Sequence, residues 1–415
     1  MSRLHRSPRQ LVKRVLLGIF YAQVAVVVSL MATTKVRTLL RGKRATTFPV
    51  TPPTTVPLGG VDTATTFTFG TDLYDDMLAA IASAEHRILF ETYIWKGDAV
   101  GARFKKALID AAARGVDVHV IYDGFANMVV RPSFLRLPPP IKVLRYPVLA
   151  AGLRVLSPRR YGRDHRKILV VDGEIGYVGG YNIGSLYATE WRDTHVRLDG
   201  PAVWNLDNAF VDFWNLRKGS GLDRLHEHGV SSWETHIRAH RNIPGQLLFP
   251  IRGMYLEAID RAREHISITA AYFIPDRDIL QALLDASERG VEVTILMPEV
   301  SNHVVADWMS RGFYSTLLDG GVKVLLYRHA MVHAKTATID GRWTTIGTAN
   351  IDRLSLTGNY EINLEFVDDG LAAHMEKVFA TDSQNARELT RAEWSARPLV
   401  AKACELILAP LRPLL

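Results

Sequence analysis

Two periods of hydrophobic spacing alternate along this chain, and the alternation itself is repeated. Residues 73–84 carry apolar side chains at helical spacing, and 88–95 form a continuous apolar run of strand length. Residues 100–114 then read as an amphipathic helix and 116–122 as a second buried strand. Strand, helix and strand with short joints predict a right-handed parallel crossover unit. The same order returns as a strand over 266–274, a helix over 278–289 and a strand over 291–297. Ala112-Ala113-Arg114-Gly115-Val116-Asp117-Val118 is echoed 175 positions later by Ser287-Glu288-Arg289-Gly290-Val291-Glu292-Val293. The pattern predicts an α/β protein made of two duplicated domains, each a mixed sheet flanked by helices, related by a pseudo-two-fold axis.

A second register, of 168 positions, carries the polar residues. Asp164-His165-Arg166-Lys167-Ile168-Leu169-Val170-Val171-Asp172-Gly173 corresponds to Val332-His333-Ala334-Lys335-Thr336-Ala337-Thr338-Ile339-Asp340-Gly341. With no gap, Gly179 falls on Gly347, Asn182 on Asn350 and Asp193 on Glu361. Six matched positions in one register separate this repeat from a chance His-x-Lys pair. Strand alternation puts His165 and Lys167 on one face, and His333 and Lys335 likewise. The Asp-Gly pairs that follow are hairpin-turn signals, so Asp172 and Asp340 are expected to shape the hairpin and hold the strand end.

Burying two lysines on inner strand faces costs several kcal/mol unless an anion compensates, which a satisfied core histidine would not explain. The arrangement asks for a phosphate. Breaking a phosphodiester needs an in-line nucleophile, cations for the equatorial charge and an acid for the departing alkoxide. Two copies meeting across a two-fold axis supply all three. One imidazole attacks, giving a phosphohistidine, and the other acts as acid and then as base. Each histidine must present the correct nitrogen, so its other ring N–H is expected to go to a carboxylate; Asp193 and Glu361, both at +28, are the candidates. Lys167, Lys335 and the amides of Asn182 and Asn350 are expected to hold the non-bridging oxygens. The chemistry calls for no metal or other cofactor. His226 and His228, in Leu225-His226-Glu227-His228-Gly229, come nearest to a ligand cluster, and the glycine after them favours a solvated helix end.

Charge modifies the picture at one end only. The net charge is +7 over 415 residues, yet residues 1–46 hold ten Lys and Arg and no acid, leaving 40 basic against 43 acidic residues elsewhere. A slightly acidic body argues against a nucleic-acid partner, which would need phosphate neutralised over many contacts. Within the basic terminus, residues 15–32 (VLLGIFYAQVAVVVSLMA) are uncharged and, as a helix, would span roughly 27 Å, just enough for a bilayer core. A retained single anchor in the cell membrane is the expectation, against a signal peptide or an interfacial helix. Five basic residues on each side favour anionic lipid headgroups and set no orientation.

Residues 47–66, with Pro49, Pro52, Pro53 and Pro57, read as an extended linker. The first domain is expected over 67–242 and the second over 243–415, with the boundary around 238–247. Residues 125–163 read as a long proline-rich, basic loop, and 401–415 as a terminal packing helix, with a surface-seeking helix as the alternative. The one cysteine, Cys404, excludes an intrachain disulfide and a cysteine-based metal site.

The doubled His-x-Lys-x4-Asp, followed by GGYN in one half and GTAN in the other, resembles the phospholipase D superfamily over residues 67–369. Within it the stretches ETYIWKGDAVG, WRDTHVRLDGPAV, AAYFIPD and GNYEINLEF are similar to bacterial cardiolipin synthases. The resemblance implies a catalytic set of His165, Lys167, Asp172, His333, Lys335 and Asp340, and phosphatidyl transfer between two molecules of phosphatidylglycerol. It makes His165 the nucleophile and His333 the acid and base. A hydrolase on the same machinery and a non-catalytic scaffold are the competing readings. The choice between water and lipid hydroxyl, the oligomeric state and the side of the membrane stay open at this stage.

Overall fold

The computed structural model describes residues 8–41, 47–148, 162–226 and 236–414. Helix α1 (Pro8–Arg41) precedes the first half. That half holds strands β1 (Thr54–Pro57), β2 (Thr63–Phe67), β3 (Arg87–Thr92), β4 (Asp117–Asp123), β5 (Lys142–Tyr146), β6 (Ile168–Val171), β7 (Ile175–Gly179), β8 (Trp191–Arg192) and β9 (His195–Asp199). Its helices are α2 (Gly70–Ser83), α3 (Ala99–Ala113), α4 (Ser185–Thr189) and α5 (Trp204–Arg217). The second half has β10 (Ile237–Asn242), β11 (His265–Ala270), β12 (Phe273–Ile274), β13 (Glu292–Pro298), β14 (Lys323–Tyr327) and β15 (Met331–Val332). It continues with β16 (Lys335–Ile339), β17 (Trp343–Gly347), β18 (Ile351–Asp352), β19 (Glu361–Val367) and β20 (Ala386–Glu388). Helices α6 (Pro250–Arg261), α7 (Arg277–Glu288), α8 (Val304–Arg311), α9 (Tyr314–Asp319) and α10 (Arg353–Thr357) accompany these strands, followed by α11 (Asp369–Gln384), α12 (Arg391–Ser395) and α13 (Leu399–Leu408).

The two large sheets are near copies. One runs β1-β2-β9-β7-β6-β3-β4-β5 and the other β10-β19-β17-β16-β11-β13-β14-β20. In each, the predicted crossover supplies the parallel pairs, β3 with β4 and β11 with β13, and the histidine strand β6 or β16 lies antiparallel beside them. Both faces of β6 are buried: Ile168 and Val170 join one core cluster, Leu169 and Val171 another. That is why this strand reads as a continuous apolar run.

The shared core explains how the halves are held. Ile168, Val178 and Val196 of the first sheet pack in one cluster with Ile346, Ile362 and Leu364 of the second, together with Phe210 of α5 and Met375 of α11. Helix α5 also packs on β10, and α11 on β1, so each half covers a helix of the other. A buried bidentate ion pair, Arg192 to Asp382 at 2.8 and 2.7 Å, pins β8 to α11 across the same boundary.

Three sequence expectations are corrected. The segment 47–66 contains β1 and β2, which extend the first sheet through β9; threonines favour the strand, and the prolines fall at its edge or outside it. Strand β10 pairs with β19, so the second unit begins by residue 237, and 227–235 lie outside the described residues. Residues 142–146 of the expected long loop form β5, parallel to β4, while 149–161 lie outside the described residues, as does His228. The terminal helix α13 packs on α1 and α8, and Gln23 of α1 donates to the Ile407 carbonyl at 3.2 Å. Leu16–Thr34 of α1 is long and apolar enough to cross a membrane, and Leu16, Phe20, Tyr21 and Val28 are exposed.

Candidate active site

The motif residues separate into two places. Asp172 and Gly173 both take positive φ, 53° and 75°, as do Asp340 and Gly341, 53° and 62°. Asp tolerates this left-handed region and Gly favours it, which closes the hairpins β6–β7 and β16–β17. Asp172 Oδ2 accepts from the Glu85 amide at 2.8 Å, and its Oδ1 from His86 and Arg87 at 2.8 and 2.7 Å. Asp340 repeats this with Arg263, Glu264 and His265 at 2.8, 2.9 and 2.9 Å. The implied catalytic role of the two aspartates is thus corrected: they staple a helix-to-strand joint at the far end of the histidine strand.

This staple has a testable pH signature. Partial burial pushes the Asp172 carboxyl up, but the three amide donors outweigh it and hold the group below its usual range, as at Asp340. A depressed folded value means stability that is complete above the unfolded value near 4 and is lost as pH falls through the folded one. Asp172→Ala should lower stability by about 1–2 kcal/mol at pH 7, because three amides lose a charged acceptor in a half-exposed setting. The deficit against wild type should shrink in acid, as measured by thermal unfolding at pH 7 and pH 3.

At the near end of the strands the histidines meet. The His165 amide donates to the Tyr360 carbonyl at 3.0 Å and the His333 amide to the Arg192 carbonyl at 2.7 Å. Strand β15 pairs in parallel with β8, and Asp164 bridges Tyr360 in the same sense. Each histidine segment is therefore zipped to the segment just before the other half's carboxylate. As a result His165 Nδ1 lies 3.0 Å from Glu361 Oε2, and His333 Nδ1 lies 2.6 Å from Asp193 Oδ2. Both carboxylates sit at +28 as expected, but they serve the histidine of the opposite half.

The carboxylates are themselves fixed. Asp193 Oδ1 accepts from the Thr194 amide at 2.7 Å, and Thr348 Oγ1 donates to Glu361 Oε2 at 2.6 Å. Burial would raise the Asp193 carboxyl, but Lys335 and His333 hold it below its usual range. Burial lowers both imidazoles, only partly offset by their carboxylates, and His333 is driven down to about 3. Burial thus favours the neutral form of both rings, the form a nucleophile needs.

Lys167 and Lys335 are buried, 3% and 2% exposed. Desolvation lowers them to about 7 and about 8, against the pull of Glu361 on the first and Asp193 on the second. Both stand behind the histidines and outside the cavity wall. Lys167 Nζ donates to the His165 carbonyl at 2.5 Å and lies 5.1 Å from the centre of the Tyr93 ring. Lys335 Nζ donates to the His333 carbonyl and lies 2.9 Å from His333 Nδ1.

The two histidines open onto one cavity of about 340 Å³. Asn182 and Asn350 line it too, Asn182 with its Oδ1 held by the Ile94 amide at 3.1 Å. Aromatic rings wall both imidazoles: Tyr93 stands edge-on to His165 at 4.7 Å between centroids, and Trp191 lies 5.0 Å from His333. Sequence reasoning missed these rings and the polar Tyr272, Asn302, Asp352 and Asn359 of the second half's wall. One signal was available: the repeat breaks at Asp352, whose counterpart is Gly184.

Paired imidazoles, each clamped by the opposite half's carboxylate, with two buried lysines behind them, define a phospholipase D-like centre for phosphodiester chemistry. A family model described as "Cardiolipin synthase, PLD-like domain" matches residues 77–214 and 255–383. The chain belongs to this cardiolipin synthase family of phospholipase D-like phosphatidyltransferases. It is 32% identical over 371 residues to the major cardiolipin synthase ClsA of Bacillus subtilis (strain 168), a match spanning 84% of this chain and 74% of that one. Cardiolipin synthase of Staphylococcus aureus (strain Mu50 / ATCC 700699) is 34% identical over 362 residues, spanning 84% and 73%. Among solved structures, the phosphatidylserine synthase of Haemophilus influenzae Rd KW20 shares the fold with a TM-score of 0.68 at 14% identity, over 85% of this chain and 93% of that one.

Proposed function

We propose that this chain transfers a phosphatidyl group from one phosphatidylglycerol to the headgroup hydroxyl of a second, giving cardiolipin and glycerol. The observation that carries the reading is the pair of imidazoles facing one cavity, each with Nδ1 engaged by a carboxylate and Nε2 left for chemistry. His165 Nε2 attacks phosphorus, the P–O bond to glycerol breaks, and His333 delivers the proton to the glycerol oxygen. In the second step His333 takes the proton of the acceptor hydroxyl, the new O–P bond forms and the P–N bond to His165 breaks. The phosphate charge supports protonation of His333, whose low value reflects desolvation first and the charge of Lys335 second. The flexible stems of Lys167 and Lys335 let their ammonium groups turn from the histidine carbonyls to the non-bridging oxygens.

The order of the histidines follows the superfamily resemblance. The anionic lipid partner is supported by the position of α8, which lines the cavity through Val305 and Ala306 while packing on α1 and α13. A single anchor formed by α1 would thus hold the cleft beside the membrane that supplies its substrate. Product analysis tests the reading: purified full-length protein is incubated with phosphatidylglycerol in mixed micelles and the lipids are resolved by mass spectrometry. Cardiolipin with an equal amount of glycerol is expected. Phosphatidic acid without cardiolipin would mean that water resolves the intermediate, and would replace the transferase by a hydrolase.

A further inference from the structure

The dyads obey the two-fold symmetry, but the cavity around them does not. The clearest break is at Asp352, whose counterpart 168 positions earlier is Gly184. Both residues precede a five-residue helix, α10 and α4. In the first half the cap comes from the protein's outer side: Asp98 Oδ2 accepts from the Ser185 amide at 2.7 Å, and its Oδ1 from Gly101 at 3.0 Å. Asp276 stands in the equivalent place in the second half, but its carboxylate is taken by Arg252 and by its own helix, α7. The cap on α10 comes instead from Asp352, whose Oδ1 accepts from the Ser355 amide at 2.6 Å, and Asp352 lines the catalytic cavity.

A capping oxygen alone does not require this. Serine or asparagine caps a helix as well as aspartate does, and a carboxylate buried beside Glu361 is costly to keep ionised. Burial first, then the charge of Glu361, raise the Asp352 carboxyl to about 7, against the Ser355 hydrogen bonds. The second half also lines the cavity with the polar Asn302, Ser355 and Asn359 beside apolar Ile274, Val305 and Leu354, whereas the first half, apart from His165 and the amide of Asn182, contributes Tyr93, Ile94, Tyr187 and Trp191. In either protonation state the Asp352 carboxyl offers an oxygen to a hydroxyl donor, and in its ionised state it also repels a phosphodiester. The cavity therefore has a phosphate locus at the histidines and a hydroxyl locus on one side.

We propose that Asp352 is the specificity residue of the leaving-group and acceptor subsite, where its carboxylate accepts a hydrogen bond from a free hydroxyl of a glycerol headgroup. The proposal rests on the transferase reading. By microscopic reversibility, departing glycerol and the incoming headgroup occupy the same locus, so one carboxylate serves both steps. The attacking oxygen gives its proton to His333; Asp352 binds the neighbouring hydroxyl and takes no proton. A headgroup hydroxyl is thereby favoured over water, which cannot span the two sites at once. Sites built to hydrogen-bond a substrate hydroxyl discriminate strongly against analogues that lack it.

The test uses full-length protein in mixed micelles of phosphatidylglycerol with either labelled glycerol or 1-propanol as the free acceptor. Wild type should prefer glycerol to 1-propanol at least tenfold in kcat/KM, and Asp352→Asn should reduce that ratio at least tenfold, with the loss on the glycerol arm. The fraction of phosphatidic acid among the products should rise in the same variant. Asp352→Ser keeps a capping oxygen for Ser355 but withdraws from the cavity, and it serves as the second variant. Equal losses for both acceptors would make Asp352 a structural cap and overturn the proposal. So would a wild type that does not prefer glycerol, a result that needs no variant. Wild type that yields phosphatidic acid alone, with no transfer to either alcohol, would instead overturn the transferase reading itself.

Discussion

His165→Asn should reduce phosphatidyl transfer by at least about 10⁴-fold while leaving the fold intact, because on the proposed route it removes the atom that accepts the phosphatidyl group. The side chain is partly exposed to the cavity, and asparagine is smaller, so no overpacking follows. The lost Nδ1 contact leaves Glu361 with the Thr348 hydroxyl, and the variant should melt within a few degrees of wild type. Steady-state cardiolipin formation and circular dichroism on the same samples check both halves of the expectation. His333→Asn should fall comparably, since residues acting as one unit give losses of similar size whichever is removed. A histidine whose loss costs less than about tenfold would not be part of the reacting pair.

Glu361→Gln should cut kcat by about 10²- to 10⁴-fold with a smaller effect on KM. Glu361 is buried and does not line the cavity. It holds His165 in the tautomer that leaves Nε2 unprotonated, and an amide of the same shape can hold either tautomer. Asp193→Asn should act the same way on His333. Because the pairs cross between halves, ¹⁵N spectra of histidine-labelled protein should show the His165 ring changing in Glu361→Gln and the His333 ring changing in Asp193→Asn. The opposite assignment would contradict the crossed geometry.

That crossing marks the limit of what the sequence discloses. Local periods disclose the strands, the helices and the 168-residue register, since each records burial of one face or of two. They place both carboxylates at the same offset, and offset alone favours pairing within a half. What decides the partner is the parallel zipping of Met331–Val332 onto Trp191–Arg192 and of Asp164 onto Tyr360, long-range contacts that leave no local periodicity. The buried Arg192–Asp382 pair escapes for the same reason: its partners lie 190 positions apart and each looks like surface charge in sequence. The hairpin aspartates were legible because turn chemistry is local. Strand β1 was hidden by its own Pro57 and by Pro52 and Pro53 just before it, which signal a linker although an edge strand tolerates them, and the proline-free β2 was read as part of the same linker.

The account turns on a covalent phosphatidyl adduct at His165, and that adduct can be located. Full-length protein turning over phosphatidylglycerol is quenched with denaturant at mildly alkaline pH, which preserves the acid-labile P–N bond without saponifying the acyl esters, then digested and mapped by mass spectrometry. The account predicts a phosphatidyl mass increment on the peptide that carries His165, and none in His165→Asn. An adduct on the His333 peptide would reverse the two histidines, and a wild-type enzyme that forms cardiolipin with no adduct on either would contradict the covalent route.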